Sequence, residues 1–186
     1  MVTKLTPTSI PGFSSPAVGF EQPFEMLHAC HDRVRRSLAL LGKLLTHLDS
    51  QGHDAASRSA AQDVLRYFDL AAPLHHEDEE VNIFPVLLAQ ADGGIHQHIH
   101  TLQEDHRKMA ALWAQVRLAL VDWKLPTSTG PVDTAARQAI AAFVALYASH
   151  LRTEEDIVYP AARGHMDSDQ ITQAGQQMQA RRRAAP

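Results

Sequence analysis

Two segments of this chain carry one signature 75 residues apart: "HHEDEEVNIFP" from His75 and "HLRTEEDIVYP" from His150. Shifting the sequence by 75 residues lays His75 on His150, Glu79 on Glu154, Glu80 on Glu155, Phe84 on Tyr159 and Pro85 on Pro160. The same shift lays His31 on His106, Val34 on Met109, Leu38 on Trp113 and Phe68 on Phe143. A chain with this internal register reads as two copies of one unit. Each copy supplies a lone His and then a His-x-x-x-Glu pair.

The unit is a helical hairpin. Apolar residues recur every three or four positions through Leu27, Val34, Leu38, Leu41, Leu45 and Leu48, then through Val64, Phe68, Ala72, Ile83 and Val86. A third stripe runs through Ile99, Leu102, Met109, Trp113, Val116, Leu120 and Trp123, and a fourth through Ile140, Phe143, Tyr147, Ile157 and Val158. Helix formers dominate and glycine is sparse, so the expected fold class is all-α. Four helices joined by short breaks predict an antiparallel up-down-up-down four-helix bundle over residues 21–164. Residues 1–20, rich in Pro, Ser and Gly, read as an irregular N-terminal arm. Residues 165–186 read as a tail or short amphipathic helix through Ile171 and Met178. Gly93 and Gly94 suit a C-terminal cap of the second helix. Pro73 removes a backbone donor and is expected to kink that helix just before His75.

With 186 residues, 45% of them apolar, the chain can bury one sizeable core. A formal charge of −4 implies no broad basic surface for nucleic acid. The run Arg181, Arg182 and Arg183 reads as a solvated helix end. No segment approaches the length of a membrane span, and the N-terminus lacks the blocks of a signal peptide. The lone Cys30 excludes an internal disulfide and reads as a small buried residue. The expected setting is cytoplasmic, without membrane or nucleic acid, and nothing indicates a protein partner.

Six polar residues fall on the inward stripes: His31, His75, Glu79, His106, His150 and Glu154. Burying an uncompensated carboxylate is costly, and two carboxylates close together repel. A pair of divalent cations, bound by four imidazoles and sharing both carboxylates, removes both costs. Mixed nitrogen and oxygen ligation suits non-haem iron better than calcium or magnesium. A polar network without metal and a pair of mononuclear sites remain as alternatives. The repeat also selects among neighbours. His76 and Glu80 share the four-residue spacing, but His76 maps on Leu151. His28 maps on Gln103, and His47, His53, His96, His98 and His100 have no histidine mate. Glu80 and Glu155 lie about 100° further round the helix and act at most behind the ligands. Tyr147, one turn before His150, is either a packed core aromatic or a donor beside the metals. His28, one turn before His31, is a surface residue or a further supporting group, and His76 stands with these supports.

The pattern H31 … H75-x-x-x-E79 … H106 … H150-x-x-x-E154, with "EEVNIFP" and "EEDIVYP" trailing, resembles the hemerythrin family, specifically the bacterial HHE cation-binding domains. The resemblance covers about residues 24–164. It implies two iron ions bridged by oxide or hydroxide, with other divalent metals as substitutes. Oxygen-carrying hemerythrins have five histidines, two of them four residues apart on the third helix; here the position four before His106 is Leu102. The resemblance to four-histidine members therefore implies a diiron site that reacts with hydrogen peroxide, oxygen or nitric oxide, with catalase-like, peroxidase-like or other oxidoreductase activity. Sensing of oxygen, nitric oxide or iron, oxygen binding without turnover, and metal storage are the alternatives.

Overall fold

The computed structural model describes residues 19–184. Among them every regular element is helical and no strand occurs. Helix α1 spans Pro23–Gln51, α2 covers residues 55–90, α3 spans Gly93–Trp123, α4 covers residues 134–165 and α5 spans Ser168–Ala184. The arm expected over 1–20 lies outside the described residues except for Gly19 and Phe20.

Each start has a local cause. Pro23 sits in the first turn of α1, where its missing N–H costs nothing. Asp54 and Ser57 form a reciprocal capping box at α2. The Asp92 side chain accepts from the amides of Gly94 and Ile95 at α3, and Asp133 accepts from Ala135 at α4. Asp167 and Gln170 cap α5 in the same reciprocal way. Gly52, at φ 74°, closes α1 by donating its amide to the Leu48 carbonyl. Gly93 and Gly94 do not close α2, as expected from the sequence, but open α3. Asp92 captures the free amides that follow it, and that decides which helix the glycines join.

Three π turns interrupt the long helices, at Tyr67–Ala71, Glu79–Ile83 and Glu154–Val158. Each is followed two residues later by a proline: Pro73, Pro85 and Pro160. A proline cannot donate to the carbonyl four residues back, and its ring crowds that carbonyl. The wider turn relieves the crowding. The amide of Ala72 reaches back to Tyr67, that of Phe84 to Glu79 and that of Tyr159 to Glu154. The kink site expected at Pro73 is thus the first of three such turns. The extra residue also shifts the buried stripe. Leu87 is buried where Val86 was expected, and Val158 and Tyr159 are buried while Ile157 is only partly so.

Contacts between neighbouring helices run in opposite chain order. Glu25 meets Arg163, His31 meets Glu155 and Asp49 meets Arg137 between α1 and α4. Asp69 meets Arg117 and Glu80 meets Gln103 between α2 and α3. The apolar interior is split into two clusters. One runs from Val34 to Leu48 on α1 and includes Phe68, Trp123 and Phe143; the other gathers Phe24, Leu27, Phe84, Ile99, Leu102, Tyr159 and Met178. The six polar residues selected by the repeat lie between them on all four helices.

Helix α5 is longer than the short segment expected, at 17 residues, and it is docked. Arg181 and Arg182 are not a solvated end. They hold the fully buried Asp78 of α2 at 2.9 and 2.6 Å, and Arg181 also donates to Asn82. Asn82 in turn donates to Gln177. Gly175 lets α5 approach the chain before α1 closely, because a Cβ there would overlap the Phe20 carbonyl oxygen. Gly175→Val is therefore expected to destabilise the protein by about 1–3 kcal/mol. Gly42→Ala, on an open face in the middle of α1, should stabilise it by about 0.5–1 kcal/mol. Denaturant titration of both variants checks this, and a Gly175→Val protein of unchanged stability would remove the docking contact from the account.

Candidate metal centre

The polar layer is assembled from one turn of each long helix. His31 comes from α1, His75 and Glu79 from α2, His106 from α3, and His150 and Glu154 from α4. None is more than 8% exposed, and both carboxylates are fully buried. From these six residues two sets of donor atoms lie within 4.8 Å of one another: His31, His75, Glu79 and Glu154, and Glu79, His106, His150 and Glu154; His76 with His106 and His150, and His28 with His31 and Glu155, form two smaller groups at the edge. Both carboxylates belong to both sets. All six residues expected from the repeat are brought together.

These groups converge without satisfying one another. His31 Nε2 lies 3.2 Å from Glu154 Oε2, and His150 Nε2 lies 2.9 Å from Glu154 Oε1. Yet neither oxygen of Glu154 has a hydrogen-bond partner, nor has Glu79 Oε2 or either nitrogen of His75. His106 Nε2 and His150 Nε2 face each other at 3.1 Å. Buried polar groups are normally paired. Buried lone pairs left without a hydrogen-bond partner are what cations between them would satisfy. The donor set therefore fits a bound metal cation.

The flanking carboxylates stand behind the lone histidines. Glu155 Oε1 contacts His31 Nδ1 at 2.8 Å, and Glu80 Oε1 contacts His106 Nδ1 at 2.9 Å. Each fixes a ring so that its Nε2 points inward. Arg35 holds the other oxygen of Glu155 at 2.6 Å, while Gln103 holds the other oxygen of Glu80. Asp105 stands 3.6 Å from His150 Nδ1; its mate in the repeat is Cys30, so His75 Nδ1 lacks a matching carboxylate. Half-exposed His28 lies 3.9 Å from Glu155 and edge-on to Tyr159. Tyr147 is buried, with its hydroxyl 3.5 Å from His76 Nε2. His76 stacks on His106 with ring centroids 4.1 Å apart.

Tyr159 was not selected from the sequence, yet it lies in the layer. Its hydroxyl donates to Glu79 Oε1 and lies 2.9 Å from His31 Nε2. The signal was its mate in the repeat: Phe84 and Tyr159 differ by that one hydroxyl. Burial opposes protonation of His106, but Glu79, Glu154 and Glu80 outweigh it and raise its pKa to about 9. His31 is raised in the same way, against burial, by Glu154 and Glu79. Burial alone would raise Glu154; His150 and His31 hold it far below the usual carboxylate range. Burial keeps His75 neutral, and burial with the neighbouring His106 lowers His76 to about 3.

The hemerythrin HHE cation-binding domain model matches residues 22–162. This chain belongs to the hemerythrin HHE cation-binding family. It is also 31% identical over 163 residues, 88% of this chain and 91% of the relative, to an uncharacterized protein of Haemophilus influenzae. The buried His/Glu cluster is the candidate cation site of this hemerythrin domain. No helix among the described residues is long and apolar enough to cross a membrane.

In the metal-free hemerythrin domain the histidines set opposed pH limits. The stability His106 draws from its carboxylates is full below the ordinary histidine pKa of 6.5 and is lost as pH rises through about 9. His75 and His76 refuse protons that the unfolded chain accepts, so they destabilise the fold as pH falls below 6.5. Thermal melts of the metal-free protein should peak near pH 6.5 and decline on both sides. A melting temperature rising steadily up to about pH 9 would contradict this ordering.

Proposed function

We propose that this chain is a non-haem diiron protein that reacts with hydrogen peroxide, oxygen or nitric oxide and serves in defence against oxidative or nitrosative stress in the cytoplasm. His31 and His75 would hold one iron and His106 and His150 the other, with Glu79 and Glu154 within reach of both. The scaffold in this reading is an antiparallel up-down-up-down four-helix bundle formed by α1 to α4. One observation carries the proposal: two buried carboxylates shared by two histidine pairs, with their inward lone pairs unpartnered.

Two irons held there supply electron transfer to or from a small bound molecule. The chain supplies the surroundings. Glu155 and Glu80 hold His31 and His106 in the ligating orientation and increase their basicity. The apolar clusters above and below the layer keep bulk water out, which strengthens every interaction between charges inside it. The Tyr159 hydroxyl holds a proton against Glu79 on the His31 side. Released from Glu79, that single O–H could donate to an oxygen-bearing ligand. Position 102 is Leu102, so α3 offers no second imidazole one turn from His106.

Anaerobic loading with Fe(II) followed by elemental analysis should give two metals per chain. His75→Ala and His150→Ala should lose metal, while His96→Ala and His98→Ala keep it, since neither belongs to the converging donor groups. The loaded wild-type protein should consume hydrogen peroxide and evolve oxygen; the metal-free protein should not. One metal or none per chain would defeat the dinuclear reading. Two irons with reversible oxygen binding and no peroxide consumption would replace reactivity by oxygen carriage.

A further inference from the structure

Of the twelve histidines in the chain, one pair lies four residues apart: His96 and His100, early in α3. Neither belongs to the converging donors of the polar layer, and neither has a histidine mate at the 75-residue shift. On an α-helix that spacing puts two side chains on one face, with Cβ atoms about 5–6 Å apart. Both rings line an open groove of about 490 Å³ that runs along α3 from Gly93 to Glu104 and Lys108. His106 lies six residues beyond His100, about 9 Å further along the axis and turned about 120° away. The groove is therefore separate from the layer.

The His96 ring is half-buried, and its Nε2 is shielded from solvent without a hydrogen-bond partner. The His100 ring is exposed. The carboxylate of Glu104, one turn further along the face, is turned away from them: it accepts from Arg107 at 2.6 and 3.0 Å and lies 3.9 Å from Lys108. It offsets those two cations and leaves both imidazoles free to donate lone pairs. A Cβ at Gly93 would meet nothing within 4 Å, so the groove stays open beside His96. We propose that His96 and His100 form a second, exchangeable site for one late first-row divalent cation of the Ni(II), Cu(II) and Zn(II) class.

The metal class follows from the donors. Two imidazoles four residues apart on one helix are a chelate for Zn(II) and its neighbours. A site with nitrogen donors and no carboxylate holds Ni(II), Cu(II) and Zn(II) more tightly than Fe(II). The layer differs on both counts, since it is buried and contains Glu79 and Glu154. Water completes the coordination in the open groove, so the cation there exchanges with solvent rather than supporting the fold. His98 is a control supplied by the sequence. It stands between the pair, about 200° round the helix from each, and does not line the groove.

The test is a calorimetric titration of Ni(II) into full-length protein already loaded with iron and freed of excess metal, with iron content measured before and after. The wild type should take up one Ni(II) per chain and keep its iron. His96→Ala and His100→Ala should each weaken that uptake by at least about tenfold, because one imidazole alone loses the chelate. His98→Ala should bind Ni(II) like the wild type, and all three variants should hold as much iron as the wild type. A wild type that binds no Ni(II), or that binds it only as iron is released, would overturn the proposal. So would a His98→Ala protein weakened as much as the other two. None of these outcomes bears on the number of irons in the layer, which the loading experiment above decides.

Discussion

The fold is organised around two carboxylates that have no water. Glu79 and Glu154 are fully buried at the same level of the helices, and each raises the other's cost of ionisation. An uncompensated charge in such a place costs several kcal/mol. Four imidazoles surround the pair, and in the metal-free chain the protons held by His31 and His106 do part of the balancing. Those protons are also what an entering cation would displace, so metal affinity and pH are coupled at this layer. The split of the apolar interior into two clusters follows from the same fact. A polar layer crosses all four helices, and hydrophobic contact resumes only above and below it.

The turns that carry the carboxylates are shaped by prolines rather than by the carboxylates themselves. In both copies of the repeat the glutamate opens a π turn, and the turn leads into an aromatic residue and a proline. The carbonyls of Glu79 and Glu154 accept the long bonds from Phe84 and Tyr159. The same insertion that accommodates the proline ring therefore brings the aromatic side chain inward beneath the glutamate. On one side that aromatic is Phe84, stacked 5.9 Å from His106. On the other it is Tyr159, hydrogen-bonded within the layer. The two-fold register makes the site, and the departures from it make the two halves chemically different.

Much of this was legible because periodicity and repetition are properties of the chain itself. The all-helical class, the inward stripes and the six converging residues follow from spacings of three, four and 75. What escaped has a common physical reason: it depends on contacts between distant segments or on backbone that leaves the α-helical period. The π turns shift the stripe by one residue, which is why Val86 and Ile157 were misplaced. The assignment of Gly93 and Gly94 turned on one side chain, Asp92. The stacking of His76 on His106 joins two helices that share no sequence signal at those positions. Tyr159 was visible as the mate of Phe84, but a single added hydroxyl gains meaning only once Glu79 and His31 are known to lie beside it.

The arginines of α5 show how a tail can belong to the centre. Asp78 and Glu79 are adjacent and both fully buried, yet they face opposite ways. Glu79 turns inward to the imidazoles. Asp78 turns outward, under α5, where Arg181 and Arg182 neutralise it. Burial still raises the Asp78 pKa, with the two guanidiniums working against that rise. Without α5 the Asp78 carboxylate would lose both cations, and the turn that begins at Glu79 would lose the hold of Arg181 and Gln177 on Asn82. A π turn has fewer constraints than a continuous α-helix, so an outer clamp on one that carries a central carboxylate limits how far that carboxylate can move. Glu154 has no such clamp from α5. Its turn is held by the contacts of Glu155 with His31 and Arg35, so the two carboxylates are fixed by different means although the sequence presents them as equivalent.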